Sequence, residues 1–352
     1  MSNVVSLRGW ADHQTTRTSN DVLIDCFSRF RRSENDVFWL KENAELLNIL
    51  ESQIGGSGEL DLSAYLPFYN NIDRRLCFFR QYYRFYLSIC MDLEDLGLGG
   101  EKSQVLAAWV HTQKLADLEL SDLQRAEAER LLARRNIGRA DPGLSDRLRR
   151  FACDSARFAM PNSKVAYELT HIVFYLSEYG RRNPDLPSEA VESLRNVGIL
   201  AYLDQNMDLL AEVCISLRFA KAAVPVQWEQ ALAQSQQRYR FIPDGFDGTH
   251  DDYHAYFVGA WWAMTAGQGG FDHAVPSGAT QIRGGKAPGV MKSLSQLMYN
   301  DESLGALAWT TARNQILAAL PLRDGELLQE AENSIPDFER FYDGFARGGR
   351  AR

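Results

Sequence analysis

The sequence predicts an all-α protein, and three observations support this prediction. Apolar residues recur at three- and four-residue spacing along almost the whole chain, which is the spacing of one helix face. No segment shows a sustained two-residue alternation rich in Val, Ile and Thr, the pattern of a half-buried strand. The composition of the 352 residues, 45% hydrophobic and 24% charged, is that of a globular chain. We therefore expect about a dozen helices in one compact array, a bundle or an α/α-toroid-like arrangement, without a significant sheet.

Three helices are expected in the N-terminal part of the chain. Ser19 or Asn20 can cap a first helix through VLIDCFSRF, and Ser33 can cap a second through VFWLKENAELLNILESQI. The glycine-rich stretch at 55–58 stops the second helix. Residues 66–98 are predicted to form one long, strongly aromatic helix.

The rest of the chain is predicted to form a succession of shorter helices. Ser121 suits the N-cap of one of them, and the turn from Gly138 to Gly143, which contains Pro142, ends it. The expected helical segments are 102–118, 122–135, 145–159, 163–179, 188–203, 206–222, 226–240, 250–265, 289–299, 302–319 and 324–345.

These helices are predicted to form a single domain at residues 19–346, with flexible ends at 1–18 and 347–352. Two turn-rich segments, 136–143 and 181–187, are candidate boundaries, but both are as short as ordinary connections between helices. We keep 136–143 as an alternative sub-boundary.

Charge and cysteine usage favour a cytoplasmic protein. The chain has 46 acidic and 38 basic residues and a formal net charge of -8, which disfavours nucleic acid and anionic membranes as partners. The five cysteines are odd in number and lack CxxC spacing, so we expect them to be reduced and largely inaccessible. The N-terminus lacks the apolar run of a signal peptide, and no apolar stretch is long enough to span a membrane. The oligomeric state stays open.

The segment HDDYHAYFVGAWWAMTA, which begins at His250, predicts a functional site. Residues 255–264 are apolar or small in every helical direction, so this helix should be buried on all sides. Its first turn nevertheless carries His250, Asp251 and His254, and the two histidines are four residues apart on one face. Imidazole and carboxylate are ligands suited to zinc or iron. The alternative is that the carboxylates only stabilise the helix N-terminus.

A second polar stripe lies in AYELTHIVFYLSEYG, at residues 166–180. Glu168 and His171 are three residues apart, and Tyr175 continues the stripe. Glu-x-x-His is the spacing by which di-iron carboxylate proteins present two ligands, but the resemblance is limited to spacing because the chain has one such motif. We expect this stripe to reach the same cleft as His254, since buried polar groups need partners. The alternative for His171 is a satisfied core histidine.

The glycine-rich segment between Thr265 and Val290 predicts a lid or a binding loop. It contains seven glycines and two prolines and is long for a connection within a helical protein. Arg283 and Lys286 in this segment are suited to bind a carboxylate or phosphate. The alternative is a surface loop with incidental charges.

The site residues divide into three predicted roles. The predicted catalytic residues are His254, His171, Glu168 and Asp251. The predicted metal ligands are His250, His254, His171, Glu168 and Asp251. The predicted substrate-binding residues are Arg283, His273, Lys286 and Tyr175.

Two functions of different classes follow from these residues. The first is a helical enzyme that acts on a small molecule or peptide side chain through a His/Asp/Glu site. A bound iron or zinc ion would make it an oxidoreductase that activates dioxygen or a hydrolase that activates water, and the ligand types do not separate these. The second is a non-catalytic helical adaptor that binds a partner protein in its grooves.

Overall fold

A computed structural model of the protein describes residues 18–54, 60–138, 141–336 and 338–347. Within these residues eighteen α-helices pack around a large cluster of buried side chains that extends from Leu23 to Tyr342. The predicted all-α class is confirmed. The predicted flexible ends, 1–18 and 347–352, lie outside the described residues apart from Thr18 and Arg347.

Seven of these helices lie in the described residues before position 139. They are α1 (Ser19–Asp25), α2 (Val37–Ile54), α3 (Leu66–Asn70), α4 (Ile72–Phe78), α5 (Tyr83–Asp95), α6 (Lys102–Thr112) and α7 (Asp122–Ala133). Thr18 caps α1, one residue before the predicted cap, because its hydroxyl accepts from the backbone N–H of Asp21 while the Asp21 side chain accepts from the backbone of Thr18. Ser121 caps α7 as predicted and accepts from the N–H of Gln124 at 3.2 Å.

Eleven helices and two short strands follow in the described residues. The helices are α8 (Leu144–Ala152), α9 (Ser155–Phe158), α10 (Ser163–Leu176), α11 (Ser188–Leu203), α12 (Met207–Phe219), α13 (Val226–Gln236), α14 (Tyr253–Thr265), α15 (Met291–Asn300), α16 (Trp309–Ala319), α17 (Leu322–Ser334) and α18 (Phe338–Arg347). The strands β1 (Arg240–Ile242) and β2 (Gln281–Arg283) pair antiparallel, with Phe241 opposite Ile282.

The helix count exceeds the predicted dozen because several predicted helices are interrupted. The segment 66–98 is divided into α3, α4 and α5, and the backbone leaves the helical region at Phe79, with φ -100° and ψ 58°. The segment 145–159 is divided into α8 and α9 at Asp154, with ψ 69°. Each piece still buries one face, so the apolar period continues across the break and does not reveal it.

The strand pair anchors the glycine-rich segment that the sequence predicts to be a lid or a binding loop. Two carboxylates before α14 bind its backbone: Asp251 accepts from the N–H of Ile282 at 2.8 Å, and Asp252 accepts from the N–H of Gly284 at 2.9 Å. Part of the segment is therefore fixed to the N-terminal end of α14 by hydrogen bonds.

Four helices position the candidate site. α12 packs against both α10 and α14, and α14 also packs against α2. Residues 209–217 of α12 are all buried, and residues 256–263 of α14 are buried on every side, as the sequence predicts for that helix. Polar side chains on the facing surfaces of these helices are thus partly shielded from solvent, with the Asp208 side chain 20% and the His254 side chain 30% exposed.

Two further expectations can be compared with the structure. None of the helices in the described ranges is long and apolar enough to cross a membrane. The five cysteines are free thiols; Cys26, Cys90 and Cys214 are buried and Cys153 is half-buried, but Cys77 is exposed. The expectation that all five are inaccessible is therefore wrong for Cys77, which lies on the solvent-facing side of the short helix α4.

Candidate metal centre and its cavity

Asp208, Glu212 and His254 form the His254 cluster, in which one ligand atom from each residue lies within 4.8 Å of the other two. Asp208 and Glu212 are four residues apart on α12 and therefore project from one face. His254 comes from the first turn of α14, and its Nδ1 lies 2.8 Å from Asp208 Oδ1. Two carboxylates and an imidazole are thus gathered between two buried helices.

Side chains of α10 hold the two carboxylates in place. The Tyr167 hydroxyl donates to Asp208 Oδ2 at 2.8 Å, and the Thr170 hydroxyl donates to Glu212 Oε2 at 2.5 Å. His171 Nδ1 lies 2.8 Å from the Tyr167 carbonyl oxygen and 3.7 Å from Glu212 Oε2. Because a carbonyl only accepts, Nδ1 donates the proton in this contact.

Glu45 of α2 completes the polar surroundings of the His254 cluster. Its Oε1 lies 3.8 Å from His254 Nε2 and 3.7 Å from the Lys41 ammonium. The Tyr253 hydroxyl interacts with this carboxylate, while Oε2 is buried without a hydrogen-bond partner of its own among the residues that the structure describes. An unpaired buried carboxylate oxygen is costly, so this position suits a cation or a proton donor.

The electrostatics of the cluster favour a protonated imidazole when no metal is bound. Burial alone would lower the pKa of His254, but the carboxylates of Glu45 and Asp208 outweigh burial and raise this pKa to about 10. Burial opposes ionisation of Asp208, yet the charge and hydrogen bond of His254 hold the Asp208 pKa below its ordinary value. Burial raises the pKa of Glu212, although His171 counteracts part of this effect. A metal ion would have to displace the proton on His254.

The raised pKa of His254 predicts a pH-dependent stability for the metal-free protein. An unfolded chain releases a histidine proton near pH 6.5 but folded His254 keeps it to about pH 10, so the folded state binds the extra proton between these values. This stabilisation is complete below about pH 6.5 and is lost as the pH rises through about 10. We expect the free energy of unfolding to fall by about 1–2 kcal/mol between about pH 7 and about pH 8.5, measured by urea denaturation. His254→Gln should largely remove this slope and His250→Gln should retain it; equal slopes in all three proteins would contradict the prediction.

The His254 cluster lies beside a cavity of about 260 Å³. His254, Glu212, His171 and Glu45 contribute to the wall of this cavity. Its other lining residues include Arg130 and six aromatic side chains, namely Phe85, Phe174, Tyr175, Tyr179, Phe257 and Trp261. Concave, mostly apolar spaces with a few polar groups are typical of small-molecule sites.

The structure brings together part of the residue set predicted from sequence. His171, His254 and Tyr175 all line the cavity. Glu168 is half-buried on α10 and is not among the lining residues.

Asp251 and His250 are placed elsewhere because α14 begins at Tyr253. Both residues therefore precede the helix, and the helical spacing that would align them with His254 does not apply. The Asp251 carboxylate accepts from Arg31 at 2.8 and 3.0 Å, and the His250 ring packs edge-on against Phe38 at 5.4 Å.

The three predicted binding residues of the glycine-rich segment also lie outside the lining of this cavity. Arg283 is exposed in β2, Lys286 is exposed with its ammonium 3.6 Å from Asp252, and His273 packs against Tyr256 at 5.4 Å.

The sequence reasoning missed Asp208, Glu212 and Glu45. The signal for Glu212 is its place in LLAEVCISL, where one charge interrupts an apolar run, and Glu212 is indeed only 2% exposed. Asp208 lies one turn earlier on the same face. Glu45 has no comparable signal, because it lies on an amphipathic helix with several other charged residues.

The fold and the site define a class of protein: an all-helical protein with a carboxylate–histidine cluster beside an aromatic cavity. The chain belongs to the family described as a domain of unknown function, DUF6902, whose model matches residues 1–348. No curated protein and no solved structure matches the chain significantly.

Proposed function

We propose that the protein is a metal-dependent enzyme that acts on a small molecule, with a zinc or iron ion held by Asp208, Glu212 and His254. The observation that carries this proposal is the separation of the three ligand atoms, all within 4.8 Å of one another. A tetrahedral ion with bonds of about 2 Å holds its ligand atoms about 3.4 Å apart, so the side chains need to close by little more than about 1 Å. Three protein ligands leave a coordination position open for water or substrate, as in catalytic sites.

The surroundings of the cluster support a catalytic rather than a purely structural role. Tyr167 and Thr170 hydrogen-bond the two carboxylates, as outer-shell groups do around metal ligands. A bound metal would lower the pKa of a coordinated water molecule or provide a binding site for dioxygen. The chain itself places the carboxylate of Glu45 and the imidazole of His171 in the cavity wall, and both are groups that general acid–base catalysis uses. The volume of about 260 Å³ limits the substrate to a small molecule or a single side chain.

This proposal is tested by metal titration. The full chain is first freed of metal with a chelator and is then titrated. We expect wild-type protein to bind close to one equivalent of Zn²⁺, or of Fe²⁺ without oxygen, in isothermal titration calorimetry. Asp208→Asn should weaken binding by more than about tenfold, because a neutral amide is a poorer ligand than a carboxylate. His250→Ala is the matched control, since it removes a histidine near α14 that the structure places outside the cluster, and it should bind metal like the wild type. Wild-type affinity in Asp208→Asn, or no saturable binding by the wild type, would disprove the proposed centre.

One surface feature supports the alternative, a non-catalytic adaptor. Phe78 is 78% exposed, and with Phe79, Cys77 and Arg74 it lines a depression on the protein surface. Exposed apolar surface of this kind is often an interaction site. If the wild-type chain binds no metal, the adaptor function becomes the leading proposal and Phe78 the first residue to replace.

A further inference from the structure

Three residues that line the cavity contain a buried polar atom without a hydrogen-bond partner among the described residues. These atoms are Glu45 Oε2, Arg130 Nε and Trp261 Nε1. The Glu45 oxygen is an acceptor and belongs to the surroundings of the His254 cluster, whereas the other two atoms are N–H donors. Buried donors are normally paired, but both N–H groups are shielded from solvent, so an acceptor in the cavity would reach them only after a small rotation of these side chains.

Arg130 is held rigidly on one side of the cavity. Its side chain is 4% exposed, and its Nη1 donates to Glu178 Oε1 at 2.9 Å. The guanidinium carbon lies 4.7 Å from the centre of the Tyr179 ring and 5.8 Å from that of Tyr175. Nearby Glu127 pairs with Arg84, so its charge is already matched by another arginine. The guanidinium is therefore preorganised, and it keeps donors for a planar acceptor such as a carboxylate.

The backbone that supports Arg130 is strained. Glu178 and Tyr179, just after α10, have φ values of 50° and 53°, which lie in the left-handed region that non-glycine residues rarely adopt. This turn presents the Glu178 carboxylate and the Tyr179 ring to the same guanidinium. A left-handed residue is a common way to end a helix, and here it fixes the orientation of both side chains.

An aromatic wall joins Arg130 to the His254 cluster. His254 and Trp261 are seven residues apart on α14, so they lie on one face and about 10 Å apart along the helix axis. The Trp261 ring lies 4.8 Å from Phe174 and 5.7 Å from Tyr179, the residue that stacks on Arg130. The cavity thus has a cation at one end, aromatic rings along its side and the candidate metal ligands at the other end.

We propose that the cavity binds an arylalkyl carboxylate, with its carboxylate on Arg130 and its ring against the aromatic wall that includes Trp261. This substrate class rests on the proposed metal-dependent activity, because the far end of such a molecule would then reach the His254 cluster. The carboxylate offers two acceptor oxygens to the planar guanidinium of Arg130.

Calorimetric titration with 3-phenylpropanoate tests this binding mode, with 3-phenylpropanamide as a neutral probe of the same shape and 3-phenylpropylamine as a cationic one. The full chain is titrated with chelator present and again after loading with zinc. We expect the carboxylate to bind the metal-free wild type at least about tenfold more tightly than the amide, and the amine more weakly still. Equal binding of carboxylate and amide, or tighter binding of the amine, would overturn the proposal without any variant.

Substitutions then locate the carboxylate. Arg130→Gln should abolish the preference for carboxylate over amide, and Arg130→Lys should retain part of it because the charge remains. If Arg130→Gln does not fold, the double variant Arg130→Gln, Glu178→Gln removes both members of the ion pair and serves the same purpose. Carboxylate binding that appears only after zinc loading would place the carboxylate on the metal and reject Arg130 as its site. In that case the proposed metal centre stands and the carboxylate site at Arg130 is rejected. If instead the chelated protein binds the carboxylate and the protein takes up no metal, the carboxylate site stands and the metal centre is rejected.

Discussion

Replacing Arg31 by methionine is expected to lower the free energy of unfolding by about 3–5 kcal/mol. The Arg31 side chain is 0% exposed and bridges Glu42 at 3.1 Å and Asp251 at 2.8 Å. It also donates to the Thr280 carbonyl oxygen at 2.7 Å, and its guanidinium lies 3.9 Å from the centre of the Phe246 ring. Without the guanidinium, the Asp251 carboxylate would stay buried without its counter-ion and Glu42 would keep only Arg32, at 2.7 Å, which is the costly way to break a buried ion-pair network.

The measurement for Arg31→Met is urea denaturation at neutral pH. Arg29→Met is the matched control, because Arg29 is half-exposed and its contact, 3.4 Å to Asp25, is a surface pair one turn apart that should contribute less than about 0.5 kcal/mol. Arg31→Met should still bind one metal ion when folded, since Asp251 is tied to Arg31 and not to the His254 cluster. If Arg31→Met loses metal binding and keeps wild-type stability, then Asp251 is a metal ligand and not a structural partner of Arg31.

The fold class could be predicted from sequence because each helix has its own apolar period. That period reflects burial of one face, and it survives where the backbone leaves the helix for a residue, as at Phe79 and Asp154. The interruptions themselves depend on how neighbouring helices pack, which no local pattern records. For this reason the number of helices was harder to predict than their class.

The candidate site could be predicted only in part, for a related reason. His171 and His254 are conspicuous as isolated imidazoles in apolar helices, and both line the cavity. Spacing within each helix predicts Glu168 and Asp251 as their partners, whereas the structure pairs His254 with Asp208, which is 46 residues away. A shift of three residues in the start of α14 also changes which side chains share a face. Long-range packing of four helices decides the ligand set, and spacing within one helix does not.

Glu212→Gln is expected to change metal binding and stability in opposite directions. Glu212 is 2% exposed on α12, close to the carboxylate of Asp208, and burial raises its pKa. In the metal-free protein, a neutral amide avoids burying a charge near another carboxylate and can still accept from the Thr170 hydroxyl. We therefore expect metal-free Glu212→Gln to be more stable than the wild type by up to about 1 kcal/mol, as substitutions that relieve functional strain often are. Its affinity for Zn²⁺ should fall by more than about tenfold, because a charged ligand is lost.

Glu51→Gln is the control that separates a functional carboxylate from a structural one. Glu51 is also buried near the end of a helix, but its carboxylate lies 2.6 Å from Arg181 and 3.7 Å from Arg134. Neutralising Glu51 should therefore reduce stability, since two arginines lose a counter-charge, and should leave zinc affinity unchanged. Parallel urea denaturation and calorimetry of the three proteins measure both effects. If Glu212→Gln behaves like Glu51→Gln, losing stability and keeping zinc affinity, then Glu212 is a structural acid and Asp208 and His254 are left without a third ligand. If Glu212→Gln instead becomes more stable and binds zinc more weakly, then the Glu212 carboxylate contributes to metal binding and lowers the free energy of unfolding of the metal-free protein.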